Sequence, residues 1–422
     1  MSVKDKIPGY NTLVLPYHYA QSLTAAVKAN YPGKRLRIIG VTGTNGKTTT
    51  SFMIWKMLNS AGYKTGLMTT VAWGVDKLES QIEHMTTVKP STLNHRIKAI
   101  ADAGAEFLVL EVTSHALAQY RTLGLNFEIA VMTNVTHEHL DYHKTFDNYL
   151  AAKCKLFKQA EYGIANADDP SAKQFINSLK RPNYTTYGIK SGNIRAKNLK
   201  STAAGIEYTY NDINNPKDSF KIKTKIPGQF NAYNSLAAAC VGKKLGLTNQ
   251  QISAGLYSLT EVEGRMNRLD LGQNFDCIVD FAHTPDAFEK VFSSVKGHKG
   301  RTISLFGGAG RRDESTRKTR GQIAGQHSDI CILTEDDSRD EDPNAIIAEF
   351  AEGCKAAGMK DDQIIKITDR KKAIEHAISI AKPGDLVLIL GKGHEKTILR
   401  ADGPHPFEDL KVATNAIKQN SK

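Results

Sequence analysis

Cysteine is scarce and scattered. The five thiols, Cys154, Cys240, Cys277, Cys331 and Cys354, form no C-x-x-C pair. That argues against a disulfide framework or a cysteine-based zinc site, and it fits a reducing, cytoplasmic setting. No stretch approaches the roughly 18–20 apolar residues of a membrane-spanning helix, so no membrane span is expected. The start of the chain, MSVKDKIPGYNTLVLPYHY, has neither a continuous apolar core nor a small-residue cleavage site, so no secretory signal is read there. Internal repeats and low-complexity runs are also missing. Charge is plentiful, with 56 Lys and Arg against 44 Asp and Glu and a net charge of +12. The basic residues are spread along the chain without an aromatic-interleaved basic motif. Anionic nucleotide and carboxylate substrates explain them, and no nucleic-acid partner is expected. A hydrophobic content of 40% and a length of 422 residues allow two or three domains with cores of their own.

Against these absences stands one dense stretch, Arg35–Ser51, RLRIIGVTGTNGKTTTS. The apolar run Leu36–Val41 reads as a buried strand, and a helical pattern follows through Met53, Ile54, Met57 and Leu58. Between them lie Gly43, Thr44, Asn45, Gly46, Lys47, Thr48 and Thr49. Strand, glycine-rich turn and helix form the context of a phosphate-binding loop, in which backbone N–H groups and the helix N-terminus face phosphate oxygens. Lys47 would reach the β- and γ-phosphates, and the Thr48 hydroxyl would hold Mg²⁺. The spacing departs from G-x-x-x-x-G-K-[ST], because Val41 stands at the first glycine position.

From Leu36 onward, strands and helices alternate as in a parallel α/β sheet. Expected strands are Thr65–Thr70, Phe107–Val112, Ile129–Asn134 and Tyr162–Asn166, with helices over Ser91–Ala103 and Phe146–Gln159. Tyr184–Pro227 changes to alternating polar and apolar residues with an Asn-Asp-Ile-Asn-Asn-Pro turn, which reads as an antiparallel excursion. A second series of strands, Cys277–Phe281, Thr302–Phe306, Ile330–Thr334, Ile364–Ile367 and Leu386–Leu390, alternates with helices such as Pro343–Ala357 and Arg370–Ala381. The expected organisation is an N-terminal arm over 1–34 with a helix Ala20–Ala29, a central P-loop α/β domain over 35–262, and a Rossmann-like α/β domain over 263–422. The Lys- and Asn-bearing end reads as a frayed tail.

Ligands of open α/β sheets gather at the carboxyl ends of strands. Glu111 ends an apolar run, where a carboxylate is costly unless a cation pairs with it. His137, Glu138, His139 and Asp141 crowd a loop after another strand, which suggests a cation site. In the second series, Asp280 and His283 follow a strand, and Gly307–Asp313 is a glycine-rich turn with a basic cluster. Asp336-Asp337-Ser338-Arg339 and Gly391-Lys392-Gly393-His394-Glu395 follow two more strands. An acid beside a base suits a zwitterion, and arginine grips a carboxylate with two parallel hydrogen bonds. The residues alone point to phosphoryl transfer from ATP to a carboxylate, or to a kinase.

The strings GVTGTNGKTTT, LEVTSHAL, NVTHEHLDYH, AAKCKLF, NADDP, PGQFNAYNSLAAA, VEGRMNR, VDFAHTPDA, GGAGRRDESTRKTRG, DDSRDEDP and GKGHEKTI resemble, in this order, those of the Mur ligases, over about Leu36 to Ala413. The likeness is to the type that adds a diamino acid to UDP-N-acetylmuramoyl-L-alanyl-D-glutamate. The resemblance implies ATP-dependent amide formation through an acyl phosphate in peptidoglycan precursor synthesis. It implies ATP contacts at Gly43–Thr49, Asn234, Arg265, Asp280 and His283, and two Mg²⁺ sites using Thr48, Glu111, His139 and an N-carboxylated Lys153. It places the muramoyl peptide on Thr86, Thr87, Ser114 and Arg121, and the incoming amino acid on Arg317, Asp337, Arg339, Gly391 and Glu395. Lys47, Lys153, Glu111 and His139 become the expected catalytic set, and the two domains are expected to close on the ligands.

Three departures from the family pattern shape the expectation. About 35 residues precede the P-loop segment, too few for the family's N-terminal UDP-holding domain. A shortened carrier, a partner protein or a non-UDP acceptor is expected in its place, on an otherwise monomeric chain. Asp-Asp-Ser-Arg replaces Asp-Asn-Pro-Arg, and Asp337 favours an ammonium, which leaves diaminopimelate and lysine both open. Glu138 and Asn267 replace the usual Asp and Glu. Two further readings are a relative working with a glutaminase-like partner and a folylpolyglutamate synthetase-like glutamate ligase.

Overall fold

The computed structural model describes residues 13–81, 83, 85–202, 204–312 and 314–420. Residues 1–12 of the arm, and Asp313 of the basic cluster, lie outside the described residues. The chain forms two compact units, one running to Lys225 with Asn231–Thr260, the other comprising Ile226–Phe230 and the chain from Glu261.

The first unit is built on an eleven-stranded sheet. In chain order its strands are β1 (Arg37–Thr42), β2 (Thr65–Met68), β3 (Ala72–Gly74), β4 (Leu78–Ser80), β5 (Phe107–Glu111), β6 (Phe127–Met132), β7 (Ala160–Asn166), β8 (Tyr184–Gly188), β9 (Ile194–Thr202), β10 (Gly205–Asp212) and β11 (Ser219–Thr224). Their spatial order is 11-10-9-8-7-6-1-5-2-3-4. Strands β2, β5, β1, β6, β7, β8 and β9 pair in parallel, so the carboxyl ends of β1, β5 and β6 come together at the middle of the sheet. These central strands are buried on both faces and read as continuous apolar runs for that reason. The antiparallel excursion is β9–β10–β11, with Ile206 opposite Thr224 and Tyr210 opposite Phe220. Tyr184–Gly188 departs from the expected pattern by joining the parallel part of the sheet beside β7. The short hairpin β3–β4 has no counterpart in the sequence reading.

The arm is a helix, Leu15–Lys28, starting earlier than expected because Pro16 is tolerated in a first turn. Its Ser22 and Ala26 are buried, and the short turn Pro32–Arg35 brings Gly33 against Leu125.

The second unit carries a six-stranded sheet, β12 (Asn267–Leu269), β13 (Asp276–Asp280), β14 (Thr302–Phe306), β15 (Ile330–Leu333), β16 (Ile364–Lys366) and β17 (Leu386–Leu390), in the order 12-13-17-14-15-16. All pairs are parallel except β12–β13 at the edge, and β18 (Thr397–Arg400) and β19 (Gly403–Pro406) form a separate hairpin. Thr284, Asp342 and Asp369 cap the helices that follow, two of them with proline at the first helical position.

The expected frayed tail is instead the helix Asp409–Asn420, whose Ala413, Ala416 and Ile417 join the core. It is anchored by Arg370, whose Nε and Nη2 donate to Asp409 Oδ1 and Oδ2 at 2.8 Å each, with both side chains fully buried. Asp409→Ala would strand a buried guanidinium, so it should cost about 3–5 kcal/mol in urea unfolding of this unit, and Arg370→Met with Asp409→Leu should recover most of that loss.

Candidate active site

After β1 the chain turns through Gly43–Gly46 into the helix Lys47–Ser60. Two glycines are required by close approach. A Cβ on Gly43 (φ +150°) would lie 1.9 Å from Thr133 Oγ1, and one on Gly46 (φ +85°) would lie 2.4 Å from Asn234 Oδ1. The turn is tied to the end of β6: Thr44 N donates to Asn134 O (2.7 Å), Asn45 N to Asn134 Oδ1 (3.0 Å), and Thr133 Oγ1 to Asn45 O (2.7 Å). Lys47 Nζ donates to Thr44 O at 2.8 Å, which folds its ammonium back along the loop. Thr48 and Thr49 are buried in the first helical turn. Asn234 Nδ2 donates to Asn231 Oδ1 at 2.7 Å, which leaves Asn234 Oδ1 toward Gly46.

The end of β5 meets this loop. Glu111 is 1% exposed. Its Oε2 accepts from Thr48 Oγ1 (3.0 Å), Thr70 N (3.1 Å) and Thr70 Oγ1 (3.2 Å). Lys153, 2% exposed, donates from Nζ to Gly43 O at 2.7 Å and stands 4.6 Å from the Tyr149 ring centroid. Burial, and then the nearby Lys47 cation, hold the Lys153 amine well below the ordinary lysine range, against the attraction of Glu138 and Glu111. Thr70 Oγ1 also pairs with Thr86 Oγ1 at 2.8 Å, where the Thr86 hydroxyl can be the donor. Thr87 Oγ1 donates to Glu111 O (3.0 Å), and Arg121 Nη1 donates to Thr87 O (2.5 Å).

The histidine-rich loop is not one ligand set. Among the described residues, no three of His137, Glu138, His139 and Asp141 bring ligand atoms within 4.8 Å of one another. The His137 ring packs on Phe146 at 4.8 Å, and Glu138 Oε2 accepts from Tyr149 OH at 3.1 Å. His139, at φ +56°, keeps Nε2 3.6 Å from Glu138 Oε1. Adjacent residues in a tight turn point in divergent directions, so crowding in sequence does not make a site. Ser114 Oγ instead pairs with His143 Nε2 at 3.0 Å.

In the second unit the strand ends gather around Lys392, which is fully buried. Its Nζ donates to Asp336 Oδ1 (3.2 Å), Asp337 Oδ1 (2.8 Å) and Glu395 Oε2 (2.5 Å). These carboxylates lie close enough to hold a metal ion, but the cation among them is the lysine itself. They raise the lysine's proton affinity against burial. The lysine, with Arg370, holds the Asp336 carboxyl at about 2 despite burial, while burial pushes Glu395 up. Gly391 (φ +115°) keeps a Cβ from lying 2.8 Å from Asp336 Oδ2. Arg339 donates from Nη1 to Gly310 O at 2.6 Å and is half-buried.

Two expected ligand residues are committed elsewhere. Arg317 was placed by resemblance in the amino-acid pocket. Its Nη1 and Nη2 instead donate to Glu341 (2.6 and 2.9 Å), Glu349 (3.1 Å) and Ala309 O (3.1 Å), a buried brace. Asp280 accepts Met266 N (2.7 Å) and Ala282 N (2.8 Å), so its carboxylate shapes the Arg265 turn. Arg265 lies over the Phe281 ring at 4.6 Å, and His283 Nδ1 bonds Phe281 O at 2.8 Å.

The Mur ligase middle domain matches residues 41–242, and the Mur ligase glutamate ligase domain matches residues 264–393. This chain belongs to the Mur ligase family. A UDP-N-acetylmuramyl-tripeptide synthetase of Roseiflexus sp. (strain RS-1) is 38% identical over 94% of this chain and 81% of that protein. The UDP-N-acetylmuramoyl-L-alanyl-D-glutamate–2,6-diaminopimelate ligase of Syntrophomonas wolfei is 38% identical over 95% of this chain and 83% of its own. A solved structure of a ligase bearing that same name is 32% identical, with a TM-score of 0.63 over 92% of this chain and 79% of that one. The MurF ligase of Thermotoga maritima in complex with ADP shares the fold, with a TM-score of 0.69 at 19% identity over 94% of this chain and 84% of that one.

In this Mur ligase the sequence reading missed Thr70 and Tyr149, and it named Lys392 and Arg312 only within clusters, with no role of their own. Thr70 gives Glu111 two of its three donors, and Tyr149 joins Thr44 Oγ1 (2.9 Å) to Glu138. Lys392 organises the second-unit carboxylates, and the exposed Arg312 acts on Arg339 as a neighbouring cation. A threonine two residues past β2 and a lysine two residues past β17 were the available signals.

His143 is held neutral: burial first, then the neighbouring His139, lowers it from 6.5 to about 4. The unfolded chain therefore binds the extra proton between pH 6.5 and 4. Stability from this group is complete above that window and falls as pH drops through it, by roughly 2 kcal/mol from pH 7 to pH 5. Denaturant midpoints of the first unit should show this slope, and His143→Gln should flatten it.

Proposed function

We propose that this chain is an ATP-dependent acid–amino-acid ligase that adds a diamino acid to the D-glutamyl carboxylate of a UDP-N-acetylmuramoyl-dipeptide-type acceptor. The observation that carries the reading is Glu111, a carboxylate buried against neutral donors only, hydrogen-bonded to Thr48 at the phosphate-binding turn. A buried carboxylate of that kind fits a divalent cation, with the Thr48 hydroxyl beside it. Mg²⁺ bound there would neutralise charge on the phosphoryl oxygens.

The chain's own groups divide the work. Backbone N–H groups of the turn and the first turn of helix Lys47–Ser60 bind phosphate, with Lys47 as the mobile cation. Asn234 and Arg265 contact the nucleotide. Thr86, Thr87, Ser114 and Arg121 align the acceptor so that its carboxylate attacks the γ-phosphate and ADP leaves. The amine of the second substrate then attacks the acyl phosphate carbonyl, and phosphate departs. Asp337 and Glu395 suit ammonium groups, and Arg339 with Arg312 suits a carboxylate, which together fit a diamino acid such as diaminopimelate or lysine. Lys153 supports a finer reading. An amine kept neutral by burial is the form that adds to CO₂, losing a proton and becoming an anionic carbamate next to Glu111.

The deciding assay measures ADP and phosphate release with a panel of amino acids and muramoyl-dipeptide acceptors, with product masses read by mass spectrometry. Release that requires both the acceptor and a diamino acid is expected. Turnover indifferent to the amino acid, or turnover with folate and glutamate, overturns the reading. Lys153→Ala should lower kcat by at least about 100-fold, with partial rescue by acetate or propionate; an active mutant excludes the carbamate.

A further inference from the structure

The antiparallel excursion β9–β10–β11 buries one face and leaves the other to solvent. Ile206, Tyr208, Tyr210 and Ile222 are buried on the inner face. The outward residues, which alternate with them, fall into three rows across the strands. Glu207 lies between Lys200 and Lys223, Thr209 between Lys197 and Lys221, and Asn211 between Arg195 and Ser219. Strands stand about 4.8 Å apart and successive rows about 7 Å apart, each within a Debye length at physiological salt, so these charges act together.

The rows hold four exposed lysines and Arg195 against a single carboxylate. Glu207 pairs with Lys223 at 3.0 Å and lies 4.0 Å from Lys221, while Lys197 and Lys200 make no ion pair among the described residues. The acids at the far end of the sheet are committed elsewhere: Asp212 Oδ1 accepts from Asn214 N at 2.9 Å, and Asp218 pairs with Lys243 at 2.7 Å. Like charges facing each other across strands destabilise a sheet. Lysines on β11 guard an edge strand against pairing with another sheet. Lys197 and Lys200 sit on β9, an interior strand with no edge to guard. An external anionic surface would offset the repulsion. Sites for single-stranded nucleic acid combine a basic groove with stacked aromatic rings, and here Tyr208 and Tyr210 are turned into the core. The turn joining β10 to β11 instead presents an apolar tip. Ile213 is 43% exposed, and its N–H donates to Asn193 O at 2.9 Å, which fixes the backbone there. Basic residues beside an apolar contact suit a lipid boundary.

We propose that this face docks the chain, reversibly and from one side, on a membrane leaflet rich in anionic phospholipid. Lys197, Lys200, Lys221 and Lys223 meet the headgroup phosphates, and Ile213 enters the interfacial layer. Among the described residues no helix is long and apolar enough to cross a membrane, so the attachment is to the surface. None of these residues belongs to the candidate active site, and the proposal stands apart from the ligase reading.

The test is cosedimentation of the full chain with vesicles of phosphatidylglycerol mixed into phosphatidylcholine, and with vesicles of phosphatidylcholine alone. Binding to the anionic vesicles is expected at low salt, with loss on the neutral ones and at about 0.5 M salt. Replacing Lys197, Lys200, Lys221 and Lys223 together by Gln should lower the partition coefficient at least about 100-fold and leave ligase turnover unchanged. A control variant replaces four exposed lysines of the second unit, Lys355, Lys371, Lys372 and Lys411, by Gln and has the same net charge. It should stay within about fivefold of the wild type. Ile213→Ala should lower partitioning about threefold, and an unchanged value overturns the apolar contact. No binding of the wild type to anionic vesicles overturns the proposal. So does equal loss in the control variant, which would make net charge alone the cause. A single-stranded oligonucleotide bound more tightly than the vesicles, and weakened by the same four substitutions, overturns it in favour of nucleic acid.

Discussion

The first unit depends on a carboxylate placed where carboxylates are expensive. Glu111 ends a strand buried on both faces, and its only direct partners among the described residues are hydroxyls and one amide. Neutral donors lessen the cost of burying the charge but do not cancel it. The neighbouring loops are arranged around that fact. Thr48 enters from the phosphate-binding turn, Thr70 from the end of β2, and Thr87 from the segment before the helix Pro90–Asp102. Three separate elements converge on Glu111, two on its carboxylate and one on its backbone oxygen, at the carboxyl ends of the strands, where ligands of parallel sheets gather.

The second unit meets a related problem with a different device. Asp336, Asp337 and Glu395 come together at the ends of neighbouring strands, and the chain inserts Lys392 among them. Arg370 adds its charge near Asp336 while it anchors the last helix through Asp409. Charge near the strand ends and cohesion of the final helix therefore share one arginine. The left-handed conformation of Arg339 turns its guanidinium toward Gly310.

Legibility in the sequence followed burial. Strands β1, β5, β14 and β17 read clearly because both faces are covered and every residue is apolar or nearly so. The three-residue strands β3, β4 and β12 left no pattern, since pairing with a neighbour rather than periodicity defines them. The phosphate-binding turn was readable because its glycines are forced by close approach, a constraint that composition records. Direction was not readable. Within the basic cluster the sequence cannot show that Arg317 folds inward to Glu341 while Arg312 stays outside. Nor can it show that His137 turns toward Phe146 while Glu138 turns toward Tyr149.

Lys392 has a physiological consequence. A side-chain ammonium cannot be drawn off by a chelator or exchanged for another metal, so the charge balance around Asp336, Asp337 and Glu395 is built into the polypeptide. Glu111 makes no such ion pair among the described residues. A divalent cation held at Glu111, as proposed above, would be exchangeable where the Lys392 ammonium is not.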